Sequence, residues 1–368
     1  MPESLTSALR SDCLASLALQ PALAQRAAGH RIAIIGGTGF VGTWIAEIVA
    51  ALNDEFRCGV RVDLLGRSAP AWRAAHPHLA GRDDIQLKTI DVRSSFELAR
   101  DATLVLYAAG VADPRVHASD PFRVQETALQ GLTHALAAST RLELLQRFVN
   151  VSSGLVAGTL PQQMQVQARG LKESDLGLLD FTRVHNVYAE SRRAAESLTS
   201  LYASQYRIPV STARAFTFIG PYQPLDAPWA LNNFIRDALS GNDIRLHGDG
   251  NTRRSYLYGS DAAAWLLKIL TEGRDGEVYN VGGNEPVSHS QVADLVAGLT
   301  VPTPQLVYKS QPAAGGRQHD FFPDLQHVEA TLGLRQAVQT EAAIERAMHW
   351  HAHRVGVGRR LRPTIDAS

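Results

Sequence analysis

The stretch Arg31 to Gly42, RIAIIGGTGFVG, constrains this chain more than any other. Ile32, Ala33, Ile34 and Ile35 form an apolar run too short for a helix and bounded by glycines. That is the pattern of a strand buried on both faces of a parallel sheet. It runs into Gly36-Gly37-Thr38-Gly39-Phe40-Val41-Gly42 and then TWIAEIVAALN, whose apolar residues recur at helical spacing. Strand, glycine turn and helix together are the setting of a dinucleotide-binding fingerprint. In that reading Gly36 makes the tight turn, Gly39 lets the backbone approach a pyrophosphate, and Gly42 lets helix and strand pack closely. Thr38, Phe40 and Val41 complete the loop at the helix start, where free N–H groups and the positive dipole end face phosphate. A purely structural turn is the alternative, and the flanking strand and helix argue against it.

Length and charge narrow the class. A chain of 368 residues can bury a large core and is long enough for two domains. Lys+Arg and Asp+Glu both number 36, so no charge excess points to nucleic acid or to an anionic membrane surface. Cys13 and Cys58 are the only cysteines, which excludes a disulfide framework and fits a reducing cytoplasm. No apolar run approaches the ~20 residues of a membrane span. The segment CLASLALQPALAQ imitates a signal peptide, but Glu3 and Asp12 spoil the basic leading region and Pro21 cuts the apolar run. Leu5 to Arg26 therefore reads as a helical extension packed on the domain.

The strands that follow carry their own signals. VRVDLLGRS ends in Gly66, Arg67 and Ser68 where an acid would hold an adenosine ribose. Arg67 can pair with a 2′-phosphate, which tilts the cofactor reading, NAD or NADP, toward NADP; a solvated surface arginine is the bland alternative. IQLKTIDV ends in Asp91-Val92, placed to flank an adenine. ATLVLYAAG ends in the small residues Ala108, Ala109 and Gly110, which leave room for a cofactor to pass. A helix is expected over Phe122 to Ser139, then a fifth strand, RFVNVSSG, ending in Ser152-Ser153. The sequon Asn150-Val151-Ser152 falls inside that strand and is dismissed.

Leu160 to Asp180 reads as a long loop over the site. NVYAESRRAAESLTSLYASQY is an amphipathic helix that sets Tyr188 and Arg192 on one face, one turn apart. IPVSTARAF is a sixth strand, DAAAWLLKILTEG a helix and EVYNVGG a last short strand.

The expected layout is a doubly wound parallel α/β sheet with a smaller mixed C-terminal lobe. Residues 1–29 form the extension, 30–216 with 262–283 the dinucleotide domain, 217–261 with 284–354 the lobe, and 355–368 a tail. Arg354, Arg359, Arg360 and Arg362 make that tail basic, and disorder is its expected state. His349 and His353 lie one helical turn apart without a third ligand, so no metal site is assigned.

In open α/β sheets ligands bind beyond the carboxyl ends of the strands, which is where Ser153 falls. A tyrosine hydroxyl there can relay a proton to or from an alcohol oxygen. A neighbouring cation stabilises the phenolate, and a serine hydroxyl positions the reacting oxygen. Taken singly, Tyr188 reads as a packing residue and Ser153 as a strand cap.

GGTGFVG, Asp91-Val92, FVNVSSG, YAESRRAAE, ARAFTFIGPY, GDGNTRRSYLYGSDAA and YNVGG together resemble the extended short-chain dehydrogenases/reductases of the NAD-dependent epimerase/dehydratase family. The resemblance covers Arg31 to about His353. It implies an NAD(P) cofactor, a nucleotide-sugar substrate and a homodimer built on a helix bundle. It makes Ser153 and Tyr188 catalytic with Arg192 beside them, and gives Phe216 to the cofactor. Thr217, Asn233, His247 and Arg254 fall to the substrate, Arg254 on its diphosphate. Arg317 and Asp320, spaced R-x-x-D, resemble a pair that some family epimerases use on phosphates and ribose.

Three departures stand out. Arg192 occupies the place of the family's lysine; its fork keeps the charge but is not a compact ammonium. Ala157 replaces a tyrosine and is expected to return the space that the guanidinium takes. Ser153 is followed by Gly154 and Leu155, where dehydrating or decarboxylating members carry an acid. The leading expectation is an NAD(P)-dependent nucleotide-sugar epimerase acting at C4 through a keto sugar. A 4,6-dehydratase, decarboxylase or 4-keto-sugar reductase is the enzymatic alternative, and a catalytically weak cofactor-binding protein the second.

Overall fold

The computed structural model describes residues 3–160, 169–309, 320–357 and 360–362. Twelve strands are described: β1 (Arg31–Ile35), β2 (Arg61–Gly66), β3 (Ile85–Thr89), β4 (Leu104–Tyr107), β5 (Arg147–Ser153), β6 (Val210–Ala215), β7 (Thr217–Ile219), β8 (Ile244–Leu246), β9 (Arg253–Tyr258), β10 (Val278–Val281), β11 (Pro286–Ser288) and β12 (Leu306–Tyr308). Seven form one sheet in the order β10-β6-β5-β4-β1-β2-β3, every pair parallel. The chain steps outward from β1 to β3 and then returns to β4 on the other side. The crevice between β1 and β4 is thus the switch point where such sheets take ligands.

Period-two alternation along β1 builds two cores. Ile32 and Ile34 face one side, Ala33 and Ile35 the other, and all four are fully buried. The first side is covered by the helices Phe40–Phe56 and Gly259–Glu272, the second by Gln130–Ser139 and Val187–Tyr206. A Cβ on Gly42 would come within 2.2 Å of the Gly37 carbonyl oxygen, so only glycine lets the first helix settle here. Beyond the main sheet, β11-β9-β7 and β12-β8 make two small sheets. With the helices Ala230–Leu239, His289–Gly298 and Thr340–Arg354 they form the smaller mixed lobe.

The N-terminal extension is helical over Glu3–Ala18 and Leu23–Ala27, interrupted near Pro21, which lacks the N–H a continuous helix needs. Leu9, Cys13 and Leu17 recur every fourth residue and are buried against the Phe40–Phe56 and Gly259–Glu272 helices. Asp12 pairs with Arg346 and accepts from the Tyr258 hydroxyl, so the extension grips both the C-terminal helix and β9.

Other expectations shift. The single helix over Phe122 to Ser139 is two, Pro121–Ala128 and Gln130–Ser139, and another short one, Pro114–Ser119, precedes them. Asp113 and Asp120 cap the two proline-led starts, accepting from the amides of Arg115 and Arg123. The tail is not loose where described. Arg360 donates to the Leu239 carbonyl, the Arg362 side chain to Thr303, and Arg354 lies over the Trp350 ring. Arg359 falls outside the described residues. Asn150 is fully buried and donates to Thr199, which closes the sequon. The loop after Leu160 is tied down from residue 169 on: Asp175 accepts from Arg169 and from the Lys172 amide, and the Gly177 amide donates to the Ala157 carbonyl. Among the described residues no helix is long and apolar enough to cross a membrane.

Candidate active site

The glycine turn closes the switch-point crevice. Gly36 sits at φ +87°, and its amide and that of Gly37 donate to the Leu65 carbonyl. A Cβ on Gly36 would lie 2.6 Å from the Ala109 nitrogen, so β1 and the end of β4 approach as closely as backbone allows. Thr38 fills the space over Gly66, where a Cβ would meet its Oγ1 at 2.3 Å. Gly39 is exposed and caps the 17-residue helix Phe40–Phe56 without a side chain, leaving amides of the first turn, with Phe40 and Val41, toward the crevice. Ala108 to Gly110 form its opposite wall. These residues fit a dinucleotide: a side-chain-free cradle, an uncapped helix start and a lane of small residues.

At the adenosine end Arg67 and Ser68 are exposed at the tip of β2. Asp91 is held by Arg93, whose hydrogen bonds pull its carboxyl down to about 2, and the Arg67 charge adds to this. Val92 is buried and its carbonyl accepts from His134.

The carboxyl end of β5 carries Ser153, and the start of the helix packed on it carries Tyr188 and Arg192. Ser153 ends β5, and its Oγ accepts from the Leu155 amide at 3.2 Å, which leaves the hydroxyl proton to donate outward. The helix Val187–Tyr206 packs on β5 and carries Tyr188 and Arg192 on one face. The Arg192 side chain is buried. Nη1 donates to the Val151 carbonyl at 3.0 Å and Nη2 to the Ala109 carbonyl at 3.4 Å, bridging the ends of β5 and β4. Its guanidinium carbon lies 5.3 Å from the Tyr188 ring centroid, and its Nε has no partner. The room for it is at Gly110, where a Cβ would stand 2.0 Å from Nη2. That corrects the expectation for Ala157. The cation that reaches the turn beside Ala157 is Arg193, which donates to the Val156 and Gly177 carbonyls.

Behind these residues Glu196 accepts from Ser152 and, through both oxygens, from Arg214, which also donates to the Glu173 carbonyl. This half-buried network fixes the tyrosine helix against β5 and β6.

An aromatic chain runs from the turn after Ser153 to Arg254. A Cβ on Gly154 would lie 2.5 Å from the Phe216 ring; the Phe216 and Phe321 rings meet at 4.7 Å between centroids, tilted by 31°, and Arg254 lies 5.5 Å from the Phe321 centroid. Phe216 thus walls the site at Gly154. Burial lowers the Arg254 pKa, and Arg254 in turn faces His289. Burial first and Arg254 second push His289 down to about 4, so it is neutral near pH 7. Its ring rests edge-on at Phe234, the neighbour of half-buried Asn233.

Thr217 opens β7 opposite Tyr256, close to Arg254. His247 is exposed just after β8. Asp320 clamps Arg253, accepting from its amide, Nε and Nη2. Arg317 lies outside the described residues, so the R-x-x-D pair is seen on one side only.

Two residues escaped the sequence reading. His289 gave no motif. His117, in the short helix Pro114–Ser119, stacks its imidazole on the Tyr188 ring, 4.7 Å between centroids and 12° between planes. The Asp113-Pro114 step announces that helix, but nothing local announces its contact with Tyr188.

Seven-stranded parallel sheet, switch-point crevice and glycine turn define an α/β protein of the dinucleotide-binding class. The chain belongs to the NAD dependent epimerase/dehydratase family, which it matches over residues 32–282. It is 26% identical over 328 residues to a UDP-N-acetyl-alpha-D-glucosaminuronate decarboxylase of Bacillus cytotoxicus, covering 87% of this chain and 97% of the relative. It is 25% identical over 312 residues to UDP-glucuronic acid decarboxylase 2 of Arabidopsis thaliana, covering 84% of this chain but 65% of the plant enzyme's length. Its fold matches a UDP-glucuronic acid 4-epimerase from Bacillus cereus, solved with UDP-glucuronic acid and NAD. The TM-score is 0.74 at 19% identity, over 88% of this chain and 99% of the other.

Proposed function

We propose that this protein is an NAD-dependent enzyme that oxidises C4 of a nucleotide sugar and releases its C4 epimer, with a UDP-hexuronate as the substrate to test first. The observation that carries the reading is the placing of Tyr188 over a buried, permanently charged Arg192 beside Ser153 at the carboxyl end of β5. The decarboxylase relatives and the 4-epimerase neighbour all handle UDP-linked uronic acids, which supports the choice of sugar.

When bound, the nicotinamide would supply reversible two-electron acceptance from the sugar carbon. The chain's residues do the rest. Ser153 donates its hydroxyl to the C4 oxygen and holds it near the Tyr188 phenol. Tyr188 removes the proton of the C4 hydroxyl and later returns it. Arg192 sets its positive charge beside the Tyr188 ring, where negative charge gathers during the proton transfer. Arg254 holds the diphosphate, and Phe216 with Phe321 packs beneath the sugar's path. In this reading Asn233, Thr217, His247, Arg317 and Asp320 serve the nucleotide side. NAD is the dinucleotide in the family's description and in the Bacillus cereus neighbour; exposed Arg67 keeps NADP as the alternative. The exposed Leu201 and Tyr206 on the tyrosine helix fit the homodimer that the resemblance implies.

Decarboxylation is the second reading, favoured by the sequence relatives. Against it, the Phe216 ring takes the space a side chain at 154 would need, so no acid can stand next to Ser153 on that side. Proton NMR of purified protein incubated with UDP-glucuronate and NAD separates the two. A new equatorial H4 signal with small couplings and no carbon dioxide supports epimerisation; carbon dioxide with a pentose signal supports the second reading. No change across a panel of nucleotide sugars, with NAD bound, would leave a cofactor-binding protein.

A further inference from the structure

Tyr188 is gripped by more than its own helix. His117 lies almost parallel to it, 4.7 Å between centroids, and neither ring is exposed enough to turn freely. The imidazole is itself held: its Nε2–H donates to the Val111 carbonyl at 2.6 Å, which fixes the tautomer and ties the helix Pro114–Ser119 back to the loop leaving β4. That helix starts at Pro114 and is capped by Asp113, whose carboxylate Arg115 also grips. It packs on the turn Val184–Asn186, which leads directly into Tyr188. The ring therefore has a stacking partner anchored to one strand end and a cation, Arg192, anchored to two.

We infer that His117 is a positioning residue for the proton-transferring tyrosine, setting the plane of the Tyr188 ring by stacking, in a role that rests on the function proposed above. The stack restricts rotation about the Cβ–Cγ bond, which otherwise has a broad torsional preference. Rotation about that bond leaves the para oxygen in place; what it sets is the ring plane, and the stacked imidazole also blocks a swing about Cα–Cβ that would carry the hydroxyl toward His117. An aromatic ring at 117 is what this needs; a basic nitrogen is not. The role explains why a half-buried histidine stands where any small polar residue would cap the loop as well.

The experiment compares His117→Ala and His117→Phe with the wild type, using NAD and UDP-glucuronate. Loss of the stacked ring in His117→Ala should lower kcat about tenfold, since small misplacements of a proton-transfer group are costly. NAD affinity should stay within about twofold, because the hydrogen bond of His117 goes to Val111 and not to the Gly36–Gly42 turn. His117→Phe should return kcat to within about threefold of wild type, although it lacks the bond to Val111. A second readout needs neither cofactor nor turnover. Ring-current shielding should move the His117 imidazole protons upfield in wild type and Tyr188→Phe, but not in Tyr188→Ala. If His117→Phe is as impaired as His117→Ala, or no shielded imidazole signal depends on the ring at 188, the inference is overturned. A wild type inactive on every nucleotide sugar strikes the proposed function instead, and the shielding result then decides the stack alone.

Discussion

The Arg192 guanidinium occupies the space above Gly110, so closely that a Cβ there would stand 2.0 Å from Nη2. Arginine side chains can swing aside, but this one is buried and bonded to the Val151 and Ala109 carbonyls. The two positions are therefore coupled. Gly110→Ala should lower turnover about tenfold by displacing the cation from Tyr188. In an Arg192→Lys background the same change should cost under about twofold, because lysine carries no fork to displace. Arg192→Lys alone should weaken turnover, because a single nitrogen does not span the Val151 and Ala109 carbonyls as the two arms of the fork do. A double-mutant cycle in kcat tests this; additive effects, or a gain from Arg192→Lys alone, would refute the coupling.

Arg67 sets a second expectation. It is exposed at the tip of β2, where a 2′-phosphate would arrive, and its charge reaches Asp91. Arg67→Ala should weaken NADP binding by about 1 kcal/mol or more while leaving NAD within about twofold. Titration calorimetry with both dinucleotides reads this directly. Equal losses for the two would show that Arg67 does not meet the 2′-position.

Acid should weaken the fold through its buried histidines. His351 is buried, and burial first and Arg354 second push it down to about 4. The unfolded chain binds that proton near pH 6.5. Between these values unfolding takes up protons, so stability falls as pH falls, by about 1.4 kcal/mol per pH unit for one such histidine. Asp12 and Asp261, raised by burial, act in the opposite sense near the acid end. The readout is thus the difference between wild type and His351→Gln in urea midpoints from pH 7 to pH 4. The variant should show the shallower slope; parallel slopes would mean His351 is charged in the native state.

The parallel sheet was legible because strands buried on both faces read as short apolar runs, each ending in the small or polar residues that line the crevice. Gly36, Gly39 and Gly42 could be placed from spacing alone, and so could Tyr188 and Arg192, one turn apart on one helix. Contacts between elements could not. The Gly110–Arg192 fit, the His117–Tyr188 stack and the chain from Phe216 through Phe321 to Arg254 join residues far apart in sequence. Asp320, which the resemblance gives to a ligand, also clamps Arg253, a partnership no local pattern encodes. The helix starts before Leu129 were different: Asp113-Pro114 and Asp120-Pro121 carried the cap signal in plain view, whereas the break at Leu129 has no capping side chain.

The account turns on the Tyr188 hydroxyl, and removing that one oxygen tests it most directly. Tyr188→Phe keeps the ring, its stack on His117 and its place over Arg192. Turnover of the true nucleotide sugar should fall by about 10²–10⁴, with NAD affinity within about twofold of wild type. A Tyr188→Phe enzyme that turns over at the wild-type rate would contradict the proton relay, and with it the mechanism proposed for this site.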